Sequence, residues 1–78
     1  MSLFFIDIVD RNQVIQDREG EDFPDLEAVR QAVILCAREI MADGVSRGVW
    51  WKHRTMRVRD DADNVVFTMP MVEALSEE

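Results

Sequence analysis

Residues 23–44, FPDLEAVRQAVILCAREIMADG, read as one helix, and the chain on either side is arranged to cover it. Asp25 offers a side-chain oxygen to the free amides of the first turn, and Glu27 places a negative charge near the positive end of the dipole. Pro24 discourages helix from running backwards past the cap, and Gly44 is expected as the stop. Leu26, Val29, Val33, Cys36, Ala37 and Ile40 recur at spacings of three and four and predict a continuous buried stripe. Glu27, Gln31, Arg38 and Glu39 lie on the other side. Two apolar residues, Ile34 and Leu35, fall off the stripe; they read either as ordinary lone exposed side chains or as contacts for a second subunit.

Outward from the helix, Leu3 to Val9 (LFFIDIV) is short, aromatic and β-branched, and predicts a strand. Alternation puts Phe4, Ile6 and Ile8 on the core face and Asp7 on the other. Asp10 to Gln13 is a polar turn, with Val14 to Asp17 returning as a short strand. Arg18 to Asp22 (REGED) is a charged loop, and Phe23 is placed to staple the helix start. After Gly44 the chain loses periodicity until Arg54 to Arg59, where Met56 and Val58 point inward and Thr55, Arg57 and Arg59 outward. Asp60 to Asn64 has turn chemistry, with Asp63 or Asn64 able to take the left-handed region. Val65 to Met69 closes the second hairpin with Phe67 and Met69 facing the helix. Pro70 opens a single helical turn through Leu75, and the last acids are expected to fray. The prediction is an α+β domain over 1–78, β-β-α-β-β, with a four-stranded antiparallel sheet in the order 2-1-3-4 and one helix on one face. In that order Asp7 can pair across strands with an arginine.

The order of these signals resembles a known family. Phe4-Phe5-Ile6-Asp7-Ile8, then Asp17-Arg18-Glu19-Gly20 leading into Phe23-Pro24-Asp25-Leu26-Glu27-Ala28, is similar to a domain-of-unknown-function family of short bacterial proteins common in nitrogen-fixing soil bacteria and their relatives. Ala37-Arg38-Glu39-Ile40 and Val58-Arg59-Asp60 extend the resemblance over nearly the whole chain except about residues 45–54. Asp63-Asn64 stands where a glycine is expected, and Trp50-Trp51 lies in a stretch the family varies. The resemblance implies the fold and brings no activity, substrate or catalytic residue with it.

Charge narrows the function classes. The 78 residues carry a formal charge of −7, which disfavours general binding to nucleic acid or anionic membranes. The distribution is uneven: residues 1–46 hold ten acids and four bases, 60–78 six acids and no base, and 47–59 five bases and no acid. One cysteine excludes an internal disulfide, and the position of Cys36 on the stripe makes it a packing thiol. The short N-terminal apolar run, broken by Asp7, reads as neither signal peptide nor membrane span, so the cytoplasm is the expected compartment. His53, the single histidine, has no nucleophile at a recognisable spacing, and no glycine-rich phosphate loop is present. The acidic runs at Asp17–Asp22 and Asp60–Asp63 lack the pattern of a calcium loop and read as solvated turns. No catalytic residue, cofactor or metal is expected.

One patch invites a functional reading. Trp50, Trp51, Lys52, His53 and Arg54, continued by Arg57 and Arg59 and joined by Leu35, are the candidate partner-binding residues, since aromatics beside bases anchor protein partners or stack on nucleobases. The same pattern also fits a tryptophan closing the open end of a small core. The expectation is a non-catalytic interaction or regulatory module that forms a homo-oligomer, a dimer, and receives an acidic protein segment. The alternative is a nucleic-acid-binding module using 47–59.

Overall fold

The computed structural model describes residues 1–76; the expected fraying concerns Glu77 and Glu78, which lie outside them. The elements run β1 (Ser2–Asp10), β2 (Gln13–Ile15), β3 (Glu21–Phe23), α1 (Leu26–Ser46), β4 (Arg54–Asp60), β5 (Val65–Pro70) and a 3-10 helix (Met71–Leu75). The protein is α+β, with one α-helix against an antiparallel sheet. The sheet departs in detail from the expected four strands: it has five, in the order β2-β1-β4-β5, with β3 off that path and paired to β1. The stretch read as a charged loop supplies the extra strand, Glu21–Phe23, which pairs with Ser2–Phe4. Two adjacent exposed acids, Glu21 and Asp22, hide a strand whose third residue, Phe23, is buried.

The helix begins where the cap predicts. Asp25 is extended, and its Oδ1 accepts a hydrogen bond from the Ala28 amide at 2.8 Å. It does not end at Gly44. The chain stays helical to Ser46, and Gly48 (φ +83°) turns it instead. The Val49 amide donates to the Gly44 carbonyl (2.7 Å) and the Gly48 amide to that of Val45 (2.9 Å), the paired bonds of a Schellman stop. Gly44 serves contact rather than termination. A Cβ there would stand 2.5 Å from Trp51 Nε1, so the missing side chain lets the indole lie on the helix.

The buried arc of α1 is rotated from the predicted stripe. Val29, Val33 and Ala37 are buried as expected, but Ile34 and Met41 join them, Cys36 and Ile40 are only partly buried, and Leu26 at the helix start is half exposed. The cause is the 3-10 helix, whose Met71 and Ala74 are fully buried against α1. Arg38 Nε donates to the Ala74 carbonyl at 2.8 Å, which locates this cover on the flank shared by Ile34 and Met41. From the sheet come Phe4, Phe23, Met56, Val58 and Met69, with Phe4 and Phe23 in tilted ring contact at 6.3 Å. Burying each of the larger side chains stabilises the fold by roughly 1.5–3 kcal/mol.

The other sheet face is not open. β1 pairs with β4 along Phe4–Asp10 on one edge, while β2 and β3 cover only the two ends of its other edge. In the gap the Asp17 carboxylate replaces a strand: the Ile6 amide donates to Oδ2 (3.0 Å), and the Glu19 and Gly20 amides donate to Oδ1 (both 3.1 Å). The loop so held lies against Asp7, which is fully buried.

Candidate functional site

β4 sends its bases in two directions. Arg57 stands opposite Asp7 and Arg59 opposite Phe5 in the β1–β4 ladder, so both guanidinium groups reach the one buried carboxylate. Arg57 Nε and Nη2 donate to Asp7 Oδ2 (3.0 and 2.8 Å). Arg59 Nε donates to the same oxygen (2.7 Å) and Nη2 to Oδ1 (3.0 Å). The Asp17 amide completes Oδ1 at 3.0 Å, and Arg59 also donates to the Asp17 carbonyl and to Asp63. Burial alone would raise the Asp7 pKa, but the Arg59, Asp17 and Arg57 hydrogen bonds outweigh it and hold the carboxyl below its ordinary value. Asp17 is lowered likewise: burial opposes, and the amides of Ile6, Gly20 and Glu19 prevail. Arg59 is raised, chiefly by Asp7. No buried side-chain polar atom among the described residues lacks a partner. This cluster is a lock between sheet and loop, and it takes Arg57 and Arg59 out of the predicted patch.

The register also sets the other end. Asp10 pairs with Arg54, so the Arg11-Asn12 turn that follows Asp10 comes beside the 49–53 loop that precedes Arg54. Arg54 Nε lies 3.4 Å from Asp10 Oδ2, and its guanidinium lies over the Trp51 ring at 3.5 Å from the centroid. With Gly44 against its edge and Arg54 over its face, Trp51 is a wall of the fold. Trp50, Lys52 and His53 are exposed. Together with Arg11, Asn12 and Gln13 they line an open hollow of about 480 Å³.

Trp50, 50% exposed, also borders a second hollow of about 410 Å³ with Arg38, Met41, Ala42, Val45, Ser46 and Leu75. Val45 and Leu75 are each 58% exposed. Leu35, also 58% exposed, shares this side of α1 with Arg38 and Ala42 by helical spacing but does not line the hollow.

The structure thus brings Trp50, Trp51, Lys52, His53 and Arg54 together, places Arg57 and Arg59 on the far sheet face, and leaves Leu35 apart on the helix. Sequence reasoning missed Arg11, Asn12 and Gln13, although pairing Asp10 with Arg54 would have brought them to the loop. It also missed Val45 and Ala42, which continue the Leu35 face at helical spacing. Cys36 is partly buried, and burial, Glu39 and Asp17 push its thiol pKa up, away from nucleophilic character. Among the described residues no group of three or more His, Cys, Asp or Glu side chains is placed to hold a metal ion, and no helix is long and apolar enough to cross a membrane.

Among known proteins, no curated protein and no solved structure matches the chain. The family model described as a domain of unknown function, DUF6894, matches residues 3–72. That match takes in β1 from Leu3 onward, every other strand, the whole of α1 and the start of the 3-10 helix, and on it the chain belongs to the DUF6894 family.

Proposed function

We propose that the protein is a small, non-catalytic interaction module of the cytoplasm that self-associates as a dimer through the hollow at the C-terminal end of α1. The observation that carries this reading is the juxtaposition of Val45, Trp50 and Leu75, three large apolar side chains at least half exposed, around one concave surface. A second copy suits it because the surface holds both the hollow and the projecting side chains, so a two-fold contact seats the knobs of each copy in the hollow of the other. Asp43 and Arg47, an exposed pair at 3.5 Å near the helix end, offer both signs of charge to a symmetric contact. Strand addition at β5 is a poorer route, since the register shift opposite Val58 and Arg59 and the terminal Pro70 spoil that edge.

Light scattering or sedimentation over a dilution series tests the reading. A dimer is expected, with Val45→Asp and Trp50→Ala shifting it to monomer at concentrations where the parent protein is paired. A monomer at high concentration, or a dimer indifferent to both substitutions, would overturn it.

A further inference from the structure

We infer that the hollow on the other side of Trp50, between the Arg11-Asn12 turn and the 49–54 loop, is a docking site for a short acidic segment of a partner protein. The argument starts from the local charge. Of the five bases in 47–59, Arg57 and Arg59 are balanced by Asp7 and Asp63, Arg54 by Asp10, and Arg47 meets Asp43 outside the hollow. Lys52 remains, and the turn adds Arg11. Both are exposed, neither side chain has a hydrogen bond or ion pair among the described residues, and both line the hollow beside His53. Arg54 and Asp10 cancel one another, so the rim is net positive on a chain whose formal charge is −7. A site of opposite sign to its own protein selects for negative charge at short range and repels a long polyanion at long range.

The chemistry of the walls chooses among short anions. A site for a small phosphorylated metabolite relies on convergent, buried donors, and here the donors sit on exposed side chains. Carboxylates spaced along a peptide match separated, adaptable cations better. Trp50 borders both hollows, and the part of its ring that lines this one supplies what such a peptide needs besides charge, an apolar anchor for one aliphatic or aromatic side chain. The Asn12 and Gln13 side chains at the turn offer amides to a peptide backbone. Arg11 is held at φ +55°, and the Asp10–Arg54 pair ties the turn to the loop, so the two walls are set before a ligand arrives.

The site shares Trp50 with the self-association surface and is therefore tested through Arg11 and Lys52, which that surface does not use. The probe is a dye-labelled peptide of aspartate and glutamate with one central leucine, titrated with the full chain by fluorescence polarisation. The controls are the same peptide with every acid replaced by its amide, and a single-stranded oligothymidylate of equal charge. Saturable binding that weakens with salt is expected for the acidic peptide only. Arg11→Gln and Lys52→Gln should each weaken it about two- to fivefold and the double variant about tenfold, as for exposed ion pairs. Circular dichroism and the dimer–monomer profile should stay unchanged in these variants, so a failure of self-association reads separately from a failure of docking. Equal binding of the amidated peptide, or no loss in the double variant, overturns the inference. Tighter binding of the oligothymidylate overturns it in favour of nucleic acid.

Discussion

Arg57 and Arg59 leave the same strand as Arg54, and in the sequence they belong to the same basic run, yet the two ends of β4 are built for different purposes. At one end a single carboxylate, Asp7, fully buried, gathers both guanidinium groups and the loop that carries Asp17. At the other, Arg54 is anchored on Asp10 and Trp51, while the exposed side chains of Lys52, His53 and Arg11 have no partner among the described residues. The difference teaches that a run of like charges along a strand is not one surface. Alternation and register divide it into groups that hold the fold and groups free to meet something else.

The contrast breaks most severely at Asp7. Asp7→Ala leaves two guanidinium groups facing a gap, and losing one partner of a buried charge cluster costs about 3–5 kcal/mol. The lower end applies, because the Arg57 side chain keeps 29% exposure. Urea denaturation should show a loss of about 3 kcal/mol, a large share of the stability of so small a domain.

Acid attacks the same cluster. The folded-state pKa values of Asp7 and Asp17 lie below their unfolded ones. Their contribution is therefore complete above the ordinary carboxylate range and is lost as pH falls through the folded values. A melting temperature that drops below about pH 4 is expected. The drop should be shallower in Asp7→Asn, which has no charge to lose at that position.

At the tryptophan end the sharpest test is Gly44→Ala. Helix propensity alone would favour alanine by about 1 kcal/mol. The new Cβ would fall 2.5 Å from Trp51 Nε1, and overpacking of that kind costs typically 1–3 kcal/mol. A net loss of about 1 kcal/mol with altered tryptophan fluorescence is expected. A stabilised variant with unchanged fluorescence would show that Trp51 is not seated on the helix.

Asp25→Ala, remote from both ends, should lower stability by about 1 kcal/mol through the lost cap. The smallest effect belongs to Lys52→Gln, which should change stability by less than about 0.5 kcal/mol. A larger loss there would mean that the projecting bases also hold the fold.

Much of this was legible beforehand, and the failures have causes. The hairpins, the Asp25 cap, the helical turn after Pro70 and the pairing of Asp7 with an arginine follow from alternation, cap chemistry and strand order. β3 escaped because its acids look like loop, and a three-residue strand held by β1 has no periodicity of its own. Gly44 misled because glycine marks both a helix stop and a close contact, and only the distance to Trp51 separates the two. In the candidate site, Trp50, Lys52 and His53 were named from composition alone. Their neighbours in the β1–β2 turn were not, since they lie about forty residues away in the chain.

The sequence by itself determined the local choices: where α1 starts, which residues alternate inward, and that the bases fall between two acidic segments. These depend on backbone propensities and on neighbours a few residues apart. Tertiary structure alone decided which bases are consumed and which face of α1 is buried. Both outcomes rest on contacts between distant residues, Asp7 with Arg57 and Arg59 across a ladder, and Arg38 with Ala74 across the helix–tail packing. Such contacts form only when the sheet register and the packing of the 3-10 helix are settled together.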